Sequence, residues 1–130
     1  MNTNVLDECL ALNFQGKLPF PETLARLATE GVQWYSANFI LGRKTWYSTD
    51  DQAHGQAFPD WKGPAVAPAF SQDGIVAAIR ASQRGEIIFP EFIERAMAAG
   101  VAYYTVHLQG RKAIYFSRDG EFHIEEFPPL

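Results

Sequence analysis

Apolar positions along this 130-residue chain change period several times, and the order of those changes occurs twice. Val5, Leu6, Cys9, Leu10 and Phe14 fall at helical spacing, as do Ile75, Val76 and Ile79. A second helical stripe follows each: Leu24, Leu27 and Ala28, then Ile93, Ala96 and Met97. The period then drops to two. Across 101–109, Ala102, Tyr104, Val106 and Leu108 alternate with Val101, Tyr103, Thr105 and His107. Earlier, Tyr35, Ala37, Phe39 and Leu41 oppose Trp34, Ser36 and Asn38. That alternation predicts half-buried strands. Gly-Arg-Lys segments turn the chain into second strands, 112–118 in the later copy, and Asp119-Gly120 is a hairpin signal leading into 121–127. Asp50-Asp51 replaces Asp-Gly in the earlier copy, and Ala53 and Gly55 are poor strand formers, so a third strand there is expected to be short or absent.

The helix ends carry their own signals. Thr3 or Asn4, and Ser71 or Asp73, are placed to accept from first-turn amides. Gly16 and Gly85 stand where a helix stops on a left-handed residue. Pro21 and Pro90 suit a first helical turn, and Glu22 and Glu91 follow where the helix dipole favours a carboxylate. Arg26 and Arg95 stand four residues after those glutamates, and Gly31 and Gly100 close the helices.

Residues 16–35 match 85–104 at eight of twenty positions. After a one-residue slip, Gly42-Arg43-Lys44 aligns with Gly110-Arg111-Lys112 and Tyr47 with Tyr115. The first offset then returns for Ser48/Ser117, Asp50/Asp119, His54/His123 and Phe58-Pro59/Phe127-Pro128. The expected architecture is α+β: a helix-helix-strand-strand(-strand) unit in duplicate, over 5–59 and 74–128, with an antiparallel sheet and pseudo-twofold symmetry. Residues 1–130 read as a single domain. The segment 60–73, with Trp61, Gly63, Pro64 and Pro68, reads as a linker, or as an arm over the outer sheet face.

Composition narrows the chemistry. A net charge of −4 argues against non-specific nucleic-acid binding. No apolar run reaches membrane-spanning length, and the amino terminus has no secretory signature. The lone Cys9 excludes an internal disulfide and fits a reducing cytoplasm. There is no G-x-S-x-G, Walker loop, G-x-G-x-x-G, H-E-x-x-H or C-x-x-C, so no cofactor is called for. Aromatic content is 14%. The strand face of Trp34, Ser36 and Asn38, with Tyr103, Thr105 and His107 as counterparts, mixes rings with short hydrogen-bonding side chains. Small-molecule pockets and protein interfaces both use that mixture, and so does the outer surface of an ordinary sheet. Arg43-Lys44 and Arg111-Lys112 put basic pairs at two symmetric turns that would suit a phosphate or an acidic partner, or simply solvent. His54 and His123, each four residues after an aspartate, are the candidate metal ligands if the two copies bring them together.

Phe89-Pro90-Glu91-Phe92, Ala99-Gly100-Val101, Gly110-Arg111-Lys112 with Tyr115, and the ending Gly120-Glu121-Phe122-His123-Ile124-Glu125-Glu126-Phe127-Pro128 resemble the YbcV-like family. That bacterial and prophage domain of unknown function is sometimes labelled a phage envelope protein. The resemblance runs over essentially the whole chain and implies no activity, cofactor or site residue. The sequence therefore points first to a soluble cytoplasmic binding module acting through the aromatic-polar face on a small molecule or a protein. The alternatives are a small hydrolase or metal-dependent enzyme using His54, His107 and His123, and a phage or stress accessory homo-oligomer, in which the partner is a second copy.

Overall fold

The computed structural model describes residues 1–127, so Pro128, the expected end of the second repeat, lies outside the described residues. Four helices and six strands follow in the order α1(Thr3–Phe14), α2(Phe20–Thr29), β1(Val32–Asn38), β2(Arg43–Ser48), β3(Ala53–Ala57), α3(Gln72–Gln83), α4(Phe89–Ala98), β4(Val101–His107), β5(Lys112–Ser117) and β6(Phe122–Glu126). The fold is α+β, with one antiparallel sheet in the order β3-β2-β1-β4-β5-β6. Each element of the first half starts 69 residues before its counterpart, as Thr3 does before Gln72 and Ala53 before Phe122. Counterparts have equal lengths throughout, 12, 10, 7, 6 and 5 residues. The third strand of the first half is thus present at full length, because β2 offers Ala53–Ala57 a continuous row of backbone partners that outweighs poor propensity.

The halves join between β1 and β4, where Ser36 lies opposite Thr105, its own counterpart. A pseudo-twofold axis therefore passes between those two residues. The one-residue slip is not kept in space. Tyr35 pairs with Trp46 as Tyr104 pairs with Tyr115, so Tyr115 corresponds to Trp46, and Tyr47 to Phe116. Both turns contain four residues, and the left-handed position is Gly42 in one and Arg111 in the other, at φ 66° and 57°. The repeated Gly-Arg-Lys is a coincidence of composition at a turn whose glycine has moved.

All helices pack on one face of the sheet. Leu6, Cys9 and Leu10 of α1, Leu27 of α2, Ile75 and Ile79 of α3, and Phe92, Ile93 and Ala96 of α4 bury against Tyr35, Ala37, Trp46, Tyr104 and Val106. Asn2, rather than Thr3 or Asn4, caps α1, accepting from the amides of Asn4 and Val5 at 3.1 and 3.4 Å. Ser71 caps α3 through the Gly74 amide at 3.0 Å. Glu91 accepts from the Ile88 amide at 3.3 Å, a capping role. Arg26 reaches Glu8 on α1 at 3.5 Å rather than Glu22, an exposed contact of little energetic weight.

Strict alternation fails at two equivalent places. Register shifts between Val32 and Trp34 and between Val101 and Tyr103 insert an extra residue, a bulge that turns Val101 inward beside Ala102. Leu41, expected inside, is in the turn and 66% exposed. The segment before α3 does not lie over the outer sheet face. Its amides at Ala67 and Ser71 donate to Met97 and Ala99 carbonyls at 2.9 and 2.8 Å, so it follows the end of α4. Trp61 closes over Gly42 and packs on Phe58.

Candidate functional site

With the helices on one side and this segment held along α4, no described helix or strand covers the other face of the sheet. Strand register arranges it in three rows. The first holds Ala53, Tyr47, Trp34, His107, Lys112 and Glu126. The second holds Gly55, Thr45, Ser36, Thr105, Ile114 and Ile124. The third holds Ala57, Arg43, Asn38, Tyr103, Phe116 and Phe122. All six residues expected from the alternation (Trp34, Ser36, Asn38, Tyr103, Thr105 and His107) fall at the centre of this face, half-buried except for the exposed Tyr103.

The rings are ordered. Trp34 stacks on Tyr47 with centroids 3.9 Å apart and planes at 12°, and on His107 at 5.9 Å and 12°. Tyr103 stacks on Phe116 at 4.7 Å and 14°, the pseudo-twofold equivalent of Trp34 on Tyr47. Direct cross-strand neighbours are the side chains that a sheet brings close enough to stack. His107 Nε2 lies 3.0 Å from Thr105 Oγ1. Burial, and then the charge of Lys112, push its pKa below the usual imidazole value, which favours the neutral ring.

Beyond His107 the surface dips. A depression of about 470 Å³ is lined by Gln33, Trp34, His107, Gln109, Gly110, Lys112 and Ile114. The corresponding corner of the other half is filled by its own side chains. Asn38, the counterpart of His107, turns its Oδ1 to the amides of Ile40 and Leu41 at 2.9 and 3.0 Å. Arg43, the counterpart of Lys112, lays its guanidinium on Gly55, where an added Cβ would come within 2.9 Å of Nη2. The expected symmetric basic turns are therefore not symmetric: Arg43 opens β2 on the outer face, while Arg111 is a turn residue with its guanidinium 5.9 Å from the Phe127 ring.

Lys44 departs furthest from expectation. It faces the helices, 3% exposed, with Nζ 4.4 Å from the Tyr35 ring centroid and 4.9 Å from that of Phe89. Burial lowers its pKa to about 8. Its counterpart by register is Ala113, which needs no such accommodation.

The three histidines do not share a cleft. His54 and His123 are on β3 and β6, the two outer strands, about 24 Å apart at roughly 4.8 Å per strand. His54 is bound to Asp7 of α1 at 2.8 Å, and His123 to Gln72 of α3 at 3.3 Å. His123 also lies 3.6 Å from Glu125, whose other oxygen takes Arg80 at 2.7 Å. His107 is on the opposite face. Among the described residues no three His, Cys, Asp or Glu side chains gather as a metal site, and the paired-histidine arrangement expected from the repeat is replaced by two separate helix-to-sheet contacts. Cys9 is buried on α1, and burial raises its pKa. No described helix is long and apolar enough to cross a membrane.

A family profile matches residues 11–126, most of the chain. The chain belongs to the family described as "Protein of unknown function (DUF1398)". This DUF1398 chain is also similar to Uncharacterized protein Rv2012 of Mycobacterium tuberculosis and Uncharacterized protein Mb2035 of Mycobacterium bovis, 33% identical to each over 107 residues. The match takes in 82% of this chain and 63% of each relative, so the chain spans less than two thirds of their length.

Four outer-face residues of the DUF1398 chain were not marked by the sequence pattern: Tyr47, Phe116, Gln33 and Gln109. Keeping one offset of 69 through the second strand of each half would have paired Tyr47 with Phe116 and separated Lys44 from Lys112. The two glutamines carry no periodic signal, since Gln33 lies in the β1 bulge and Gln109 in a turn.

Proposed function

We propose that the protein is a binding module, a single domain with no reaction of its own, working through the outer face of its sheet. The supporting observation is the pair of ring stacks, Tyr47–Trp34–His107 and Tyr103–Phe116, on a face that no other described element covers. Rings locked against each other recognise a partner with little loss of side-chain entropy. Trp34→Ala or Tyr103→Ala should weaken ligand or partner at least about tenfold while costing no more than about 1 kcal/mol of stability, the scale of a cross-strand pair. Calorimetric titration beside a urea melt reads both quantities. A large stability loss with unchanged binding would assign those rings to the fold instead.

A second reading is favoured by Tyr103, Ile124 and Phe122, which are 37, 42 and 57% exposed on the same half of the face. Exposed apolar side chains grouped in this way suit pairing of two copies face to face. Light scattering with Phe122→Ser decides it: a dimer that becomes monomeric supports this reading, and a monomeric parent protein removes it. The single thiol suits a cytoplasmic setting. Within the unknown-function family, the motifs of 85–128 support the YbcV-like, prophage-related reading. Neither nucleic acid nor a membrane surface is proposed as partner.

A further inference from the structure

The depression beside His107 has features that the rest of the outer face lacks. It continues a row in which successive strands each carry one ring at nearly the same tilt, Tyr47, then Trp34, then His107. Strands lie about 4.8 Å apart, so each step along the row has room for one ring thickness. The next step falls at Lys112, whose side chain is not a ring. The imidazole thus borders a depression whose lining includes the apolar Ile114. Gln33 and Gln109 add amide donors and acceptors to the lining. Among the described residues Lys112 makes no ion pair. A depression of about 470 Å³ is the size of small-ligand sites. The pseudo-symmetric corner is closed by Asn38 and by Arg43 on Gly55, so the fold offers this arrangement once.

We infer that this depression binds a small planar heteroaromatic molecule carrying an acidic group, seated against the free side of the His107 ring as the fourth member of the Tyr47–Trp34–His107 stack. The inference rests on the reading of the outer face as a binding surface. His107 and Ile114 hold the ring by stacking and apolar contact. The amides of Gln33 and Gln109 meet carbonyls or ring nitrogens on its edge, and Lys112 takes the carboxylate or phosphate. Thr105 fixes the imidazole from below, so the stacking surface is set before the ligand arrives.

Calorimetry on the whole chain tests this with four probes: FMN, GMP, riboflavin as a ring without phosphate, and ribose 5-phosphate as a phosphate without a ring. Saturable equimolar binding of FMN or GMP is expected, with riboflavin weaker and ribose 5-phosphate not binding. His107→Ala should raise the Kd of the bound probe about tenfold or more. Lys112→Gln should bring FMN down to the affinity of riboflavin. Circular dichroism confirms that both variants fold. No saturable binding of FMN or GMP, equal binding of ribose 5-phosphate, or an unchanged Kd in folded His107→Ala each overturns the inference. A single-stranded oligonucleotide binding far more tightly than GMP overturns it in favour of nucleic acid. If the planar probes fail while Phe122→Ser abolishes self-association, the small-ligand site is lost and the outer face stands as an interaction surface.

Discussion

Lys44→Met should make the protein more stable, by about 2–3 kcal/mol at pH 7, although it removes both ring contacts of the amine. Burial lowers the Lys44 pKa from 10.5 to about 8, and each unit of that shift corresponds to about 1.4 kcal/mol of disfavoured charge. The rings of Tyr35 and Phe89 attract the ammonium but do not replace its lost hydration. Methionine fills similar volume without a charge. The pH dependence has a definite sign. Below about pH 8 the amine is protonated in both folded and unfolded chains, and the full penalty is present. Between about 8 and 10.5 the unfolded chain binds more protons than the folded one, so this group makes stability rise with pH. The buried phenols of Tyr35, Tyr104 and Tyr115 act in the opposite sense above pH 10, since burial keeps them protonated while unfolded tyrosines ionise. Those phenols are common to both proteins. Urea titrations of parent and variant at pH 7 and pH 10 should therefore show a difference that is large at the lower pH and shrinks at the higher. A variant less stable than the parent at pH 7 would mean that the amine contributes more than its burial removes.

The second large effect is expected at Gly100. Its φ is +84°, and an added Cβ would lie 2.3 Å from the Ala69 carbonyl oxygen and 2.8 Å from Phe70 Cα. Both are backbone atoms that cannot rotate away. Gly31, the same residue of the first half, has φ +81° and nothing within 4 Å of such a Cβ. Gly31→Ala should therefore cost only the left-handed strain, about 1 kcal/mol, whereas Gly100→Ala adds a clash and should cost about 3 kcal/mol or more. Paired chemical denaturation measures both, and the difference isolates how firmly the segment preceding α3 is seated on the end of α4. Equal losses would mean that this segment yields without cost.

How much the sequence disclosed depended on whether the signal was periodic. Proline-glutamate starts, terminal glycines and two-residue alternation located the helices and the central strands, because each records a local backbone demand. The order of Trp34, Ser36 and Asn38 with Tyr103, Thr105 and His107 on one face followed from the same alternation. Lys44 was misplaced because the eye follows a shared Gly-Arg-Lys, whereas the sheet follows register: a side chain one position away changes faces. The bulges at Gln33 and Ala102 were hidden for a related reason, since an extra residue leaves no trace in composition. The separation of His54 from His123 is a property of strand order, which neither copy encodes by itself.

The meeting of Ser36 with Thr105 has one more consequence. Each half presents to the other the same edge that it would present to the matching half of a neighbouring molecule, and no backbone pairing is peculiar to the intramolecular arrangement. The first half is anchored as far as Phe58 and Trp61, and the second from Ala65 onward, through Met97. Lys62, Gly63 and Pro64 lie between them. Two chains that traded halves there would rebuild the same strand order, so pairing within one chain is favoured by the high local concentration of its own other half, and raising the protein concentration works against it.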